Sequence, residues 1–214
     1  MQVCVYCASS GHIHPDYFEA TSRLAHLLVD NKIKVVFGGG SSGLMGQLAD
    51  SVLAAGGQIK GIMPQFMNEV EWGHKGVSDF VYTQTMHERK AKFLEGTDAL
   101  IALPGGPGTF EELFEAITLK KLAQFTKPIV LLNTRGYFDV FNLLMQKAVE
   151  ERFMPDELNH LYTIVDTSLA KFLANKGDEK KIPCFSVLGN LIMNFSKLLN
   201  QKASHVPSGQ HALN

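Results

Sequence analysis

The feature that most restricts the fold of this chain is an alternation. Short, predominantly apolar runs at residues 3–8, 33–37, 59–63, 80–83, 99–103, 129–132 and 162–165 are separated by polar turns and, in most cases, by helix-length segments. Strands that are apolar at nearly every position are buried on both faces, and connections of roughly a dozen residues or more are too long for hairpins. The chain is therefore expected to be α/β: a Rossmann-like, doubly wound, mostly parallel sheet with helices on both faces and right-handed crossovers. In such sheets ligands bind outside the carboxyl ends of the strands.

Helix signals punctuate the series. Pro15 marks a start and predicts a helix over 15–30, and a helix after the first glycine loop stops at Gly56-Gly57. Thr85-Met-His-Glu88 has the capping-box spacing and opens a helix that closes at Gly96. Thr109-Phe-Glu-Glu112 repeats that spacing before a helix ending ahead of Lys127-Pro128, with further helices over 137–152 and 167–174. A polar break, NKGDEKK at 175–181, divides an α/β domain over 1–175 from a tail over 176–214. In the tail Phe185, Leu188, Ile192, Phe195 and Leu199 recur at helical spacing, which predicts an amphipathic helix followed by a disordered end.

Composition removes several partners. At 214 residues and 23.6 kDa the chain suits one core. Twenty Lys and Arg against 21 Asp and Glu give a net charge of −1, with no basic excess for a nucleic-acid backbone. No apolar run approaches the ~20 residues that span a bilayer, so no membrane association is expected. The start MQVCVYCASSGH lacks a basic leader, which makes a cytoplasmic location the expectation. Three cysteines make no disulfide framework, and Cys4-x-x-Cys7 lies in a strand whose positions i and i+3 face opposite ways, against a redox or metal pair.

Two glycine loops carry the chemistry. Gly38-Gly39-Gly40-Ser41-Ser42-Gly43 satisfies G-x-G-x-x-G between a strand and a helix, but about 20 residues on, where a dinucleotide site wants an acidic residue for the ribose, stand Ile62, Met63 and Pro64. What remains is either an anion site of backbone N–H groups around Gly39, Gly40 and Gly43, or a tight turn with close strand–helix packing. The second loop, PGGPGT at 104–109, lacks the Lys-Ser/Thr of a triphosphate loop and runs into Glu111 and Glu112. With Phe110, Leu113, Phe114 and Ile117 taken as the core face, Glu112 falls on the opposite side with Leu119. Glu112 is then either a capping-box residue or a carboxylate at the ligand edge, where Arg89 and Lys90 supply cations if they are not simply a solvated helix face. No metal cluster or cofactor motif is present.

VVFGGGSSGLMG at 35–46, MHERK at 86–90 and PGGPGTFEE at 104–112, in this order, resemble the cytokinin riboside 5'-monophosphate phosphoribohydrolase ("Lonely guy") family, whose signature is PGGxGTxxE. The resemblance extends over residues 1 to about 170 and implies hydrolysis of the N-glycosidic bond of an adenosine 5'-monophosphate, plain or N6-modified, to free base and ribose 5-phosphate. It implies Arg89 and Glu112 as the catalytic pair. It also implies substrate contacts by Glu71 (with Glu69 the other match in that stretch), Arg89, Lys90, the segment Gly106, Pro107, Gly108, Thr109, Phe110, Glu111 and Glu112, and Thr118, with a homodimer or larger homo-oligomer and no cofactor. Family members have also been described as lysine decarboxylases, but no pyridoxal-phosphate lysine motif supports that here. A non-hydrolytic alternative is a nucleotide-binding or molybdenum cofactor carrier protein of similar fold.

Overall fold

The computed structural model describes residues 1–69, 73–155 and 161–166. Its elements are β1 Gln2–Tyr6, α1 Pro15–Asp30, β2 Lys34–Phe37, α2 Gly43–Ala54, β3 Ile59–Pro64, β4 Asp79–Thr83, α3 Met86–Leu94, β5 Ala99–Ala102, α4 Pro107–Lys121, β6 Ile129–Asn133, α5 Asp139–Glu150 and β7 Thr163–Asp166. All strand pairs are parallel, in the order β4-β3-β2-β1-β5-β6-β7. The order reverses between β1 and β5, so the crevice at their carboxyl ends is the natural ligand edge. The expected helix over 167–174 and the tail over 176–214 lie outside the described residues.

Strand alternation divides the core into two layers. Val3, Val5 and Cys7 face α1 and α2 with Leu24, Leu28, Leu44 and Leu48. Cys4 and Tyr6 face the layer of α3, α4 and α5 with Phe93, Leu113, Ile117 and Phe141. Cys4 and Cys7 are thus free buried thiols on opposite faces, and burial pushes both thiols up. No helix among the described residues is long and apolar enough to cross a membrane.

Helix α4 departs from the sequence expectation. It starts at Pro107 with Gly106 as an extended cap, not at Thr109, because proline suits the first helical position. Thr109 is therefore inside the first turn, and Glu112 is not a capping-box residue. The buried face is Thr109, Glu112, Leu113, Ala116 and Ile117. Phe114 is exposed, and Phe110 is turned sideways, stacked on Phe141 of α5 with centroids 6.2 Å apart. Leu119, expected away from the core, packs against it. Phe110 still packs at the margin of the core, through Phe141, while Glu112 takes an inward position beside Leu113.

The first glycine loop is held against the strand β1 exit. Gly43 has φ 60°, and a Cβ there would lie 2.5 Å from Ser10 O. The N–H groups of Leu44 and Met45 both donate to Ala8 O, at 2.9 and 3.2 Å. This is the packing reading of GGGSSG, and it withdraws those two first-turn amides from any anion at α2. Gly43→Ala should consequently melt well below Gly56→Ala, whose glycine has φ 73° with nothing within 4 Å of an added Cβ. The control carries only the left-handed strain, about 1–2 kcal/mol, or a few degrees in a chain of this size. Thermal melts of the two variants check this; coincident curves would contradict it.

Candidate active site

Arg89 stands on the fourth residue of α3, a helix whose cap Thr85 accepts from the N–H of Glu88 at 3.1 Å. The capping box is incomplete, since the Glu88 carboxylate accepts from Gln84 N instead of Thr85 N. The cap fixes where the helix begins and so which way Arg89 points. Its side chain enters the sheet edge and is held at four places. Nε donates to Ile62 O at 3.0 Å, Nη2 to Gly38 O at 3.3 Å and Nη1 to Glu112 Oε1 at 2.8 Å, while the guanidinium carbon lies 4.7 Å from the centre of the Phe93 ring. Gly38 is required for this, because a Cβ there would lie 2.7 Å from Arg89 Nη2.

Arg89 and Glu112 are 7% and 9% exposed, which makes their contact a buried ion pair and not a surface bridge. Burial drives the Glu112 carboxyl up to about 7, against the opposing pull of Arg89. Among the described residues its second oxygen, Oε2, has no hydrogen-bond partner, and it is not sealed from solvent. A carboxylate with one oxygen anchored, the other open and a pKa near neutrality is suited to accept a proton from water or to face a developing cation.

Lys90 points to the other side of the same helix pair, forming ion pairs with Glu111 and Glu115 of α4. These carboxylates, Glu111 first, raise its ammonium further. At the start of α4 the glycines differ in purpose. A Cβ at Gly105 would lie 2.1 Å from Thr109 Oγ1, whereas at Gly106 and Gly108 it would meet nothing within 4 Å. No internal packing explains the latter two. Among the described residues no protein group accepts from the N–H groups of Gly106, Gly108 or Thr109, the usual orphan donors of a helix start.

The structure thus brings Gly39, Gly40, Arg89, Lys90, the segment 106–112 and the β1 exit to one edge. Gly40 also bridges to Gly73, and His74 N donates to Gly39 O at 2.9 Å, so the excursion after β3 returns to the glycine loop. Glu71 lies outside the described residues. Thr118 is not in this cluster: it is exposed, further along α4, with its hydroxyl donating to Phe114 O at 2.8 Å. Pro107 is exposed at the first helical position and Phe110 is half-buried. A separate cavity of about 340 Å³ opens at the amino-terminal strand edge, lined by Gln2, Lys34, Ile59, Lys60 and Asp79, and touches none of these residues. Sequence reasoning missed Tyr137, whose hydroxyl donates to Gly105 O at 2.5 Å; its place just after a strand that neighbours the glycine-loop strand was the available signal.

Comparison with known proteins bears on this geometry. A family model described as possible lysine decarboxylase matches residues 45–173. The cytokinin riboside 5'-monophosphate phosphoribohydrolase LOG2 of Arabidopsis thaliana is 42% identical over 153 residues, covering 72% of each chain. The probable enzyme of the same kind LOGL9 from Oryza sativa subsp. japonica is 40% identical over 161 residues, 75% of this chain and 71% of that one. Among solved structures, the molybdenum cofactor binding protein of Rippkaea orientalis aligns with TM-score 0.56 at 21% identity, covering 77% of this chain and 88% of that one. The molybdenum cofactor carrier protein of Chlamydomonas reinhardtii aligns at 0.57 and 18%, with the same coverage. At that identity the two structures speak for the fold alone, whereas the sequence matches extend over most of the chain: the chain belongs to the cytokinin riboside 5'-monophosphate phosphoribohydrolase family.

Proposed function

We propose that the protein hydrolyses the N-glycosidic bond of adenosine 5'-monophosphate or an N6-modified derivative, releasing the base and ribose 5-phosphate. The observation that carries this reading is the buried Arg89–Glu112 pair with Glu112 raised to about 7. Departure of the base leaves oxocarbenium character on the ribose, which an adjacent carboxylate stabilises while it takes a proton from the attacking water. Arg89 cannot drift, since two backbone carbonyls and the Phe93 ring hold it, and it fixes the carboxylate in turn. The donors of Gly106, Gly108 and Thr109 take the 5'-phosphate at the positive end of α4. Lys90, Glu71, Phe110 and Glu111 are the further substrate contacts that the family likeness implies; it also implies Thr118, which lies further along α4 outside this cluster, and Lys90 would reach the substrate only by exchanging its pairs with Glu111 and Glu115.

A decarboxylase acting through a lysine imine needs an amine of lowered pKa, whereas Glu111 and Glu115 raise Lys90. A carrier that only binds has no use for a near-neutral carboxylate anchored beside its ligand. The free buried thiols Cys4 and Cys7 suit a reducing, cytoplasmic setting, and the net charge of −1 does not favour nucleic acid. A homodimer accounts for apolar surface on α4 and α5, where Leu122, Leu143 and Val140 are 58%, 61% and 73% exposed.

Four measurements test these assignments. Incubation with adenosine monophosphate and its isopentenyl derivative should release free base on chromatography, while the corresponding nucleosides, lacking the anion, should react about 10⁴-fold less well in kcat/KM. Binding without base release would favour the carrier instead, and equal rates for nucleoside and nucleotide would remove the anion site. Activity should fall as pH drops below about 7, because the base works ionised and protonation of Glu112 disables it. Glu112→Gln should cost roughly 10²–10⁴ in turnover with the fold retained; near-wild-type activity, or an acid limb at the ordinary carboxylate pKa, would exclude Glu112 as the base. Light scattering at micromolar concentration should give at least twice the 23.6 kDa chain mass, and a monomer would contradict the dimer.

A further inference from the structure

The loop after β6 reaches across to the start of α4 with an aromatic side chain. Tyr137 donates its hydroxyl to Gly105 O at 2.5 Å, and its ring stacks on Phe110 with centroids 6.2 Å apart and planes 13° from parallel. Tyr17 of α1 meets the same ring edge-on at 6.3 Å. Phe138 N–H donates to the Asn133 side chain at 2.7 Å, and Arg135 Nη1 to Asp16 at 2.8 Å, so the loop that presents Tyr137 is tied to β6 and to α1. Burial raises the phenol, which therefore stays protonated and remains a donor.

Peptide geometry gives this bond a consequence. In a trans peptide the carbonyl of one residue and the N–H of the next point in opposite directions. Anchoring Gly105 O on the Tyr137 side aims the Gly106 N–H away from it, and that N–H meets no protein acceptor among the described residues, in a stretch where Cβ atoms at Gly106 and Gly108 would meet nothing within 4 Å. A Gly-Gly peptide has little steric resistance to turning over, so its direction needs an external hold. We propose that Tyr137 is a positioning residue that fixes the Gly105–Gly106 peptide so that the Gly106 N–H faces the phosphate of a nucleoside monophosphate. This rests on the functional reading above for the ligand, while the hold of Tyr137 on the peptide stands by itself.

The test compares wild type with Tyr137→Phe, which retains the stacking ring, and Tyr137→Ala, which does not. One neutral hydrogen bond is worth about tenfold in affinity. In Tyr137→Phe the KM for the monophosphate and the Kd values of ribose 5-phosphate and inorganic phosphate, read by calorimetry, should rise about tenfold. The kcat should change by less than about threefold and adenine affinity should stay constant. The Gly106 amide resonance should also lose its response to phosphate. Packing loss alone would lower the Tm of Tyr137→Ala while leaving Tyr137→Phe like wild type, and that result overturns the proposal. So does a fall in kcat at unchanged KM, or a wild-type protein that binds no phosphate. Wild type that binds phosphate but cleaves no nucleotide would defeat only the functional reading, and the phosphate titration would still decide the role of Tyr137.

Discussion

The arrangement depends on a guanidinium and a carboxylate that meet inside the sheet edge. Taking both charges out of water costs several kcal/mol each, and the attraction between them offsets that only if the remaining polar atoms are also satisfied. Ile62 O and Gly38 O do this for Arg89, which explains why a helix, two strand ends and a glycine loop must all be in place before the pair can form. The carboxylate is not fully compensated. Its folded pKa of about 7 lies above the ordinary 4.5, so folding favours the protonated form. The stabilisation is complete below 4.5 and is lost as pH rises through 7, an expense of roughly 3 kcal/mol at neutral and higher pH. The ionised carboxylate is thus maintained against the stability of the fold.

The glycine loops divide the remaining work. At GGGSSG the small residues allow backbone to meet backbone, with Ala8 O capping the first turn of α2 and the Arg89 side chain passing over Gly38. At PGGPGT only Gly105 is needed for internal contact, against Thr109. Two loops that look alike in sequence therefore serve different ends. The first builds the cradle for Arg89 and the second leaves donors at a helix start.

The layered sheet was legible because it is written in local signals. Pro15 does open α1, Gly56 and Gly96 adopt φ 73° and 67° just past α2 and α3, and the apolar runs became parallel strands. That Arg89 and Glu112 share one edge was also readable from the strand–loop–helix order. Their burial was not. The partners of Arg89 are backbone carbonyls 27 and 51 residues away, and a carbonyl has no residue-type signature. On α4 the expected core stripe holds for Leu113 and Ile117, with Phe110 packed at its margin, but Phe114 is exposed and Glu112 takes an inward place that its charge gave no reason to expect.

On the function proposed above, that rotation of α4 is what brings the carboxylate to the ligand edge. With Glu112 turned inward and Gly108 in the first turn, one rigid element carries both the unpaired first-turn donors and the buried carboxylate. Four residues separate them along the axis, roughly 6 Å of rise, so their spacing is set by helix geometry and not by a loop. A ligand that presents a phosphate at one end and a reacting carbon about one helical turn away is measured against that fixed distance, which is the condition for orientation to contribute to rate. The two adjustable parts, the direction of the Gly105–Gly106 peptide and the orientation of the carboxylate, are held from outside the helix by Tyr137 and Arg89.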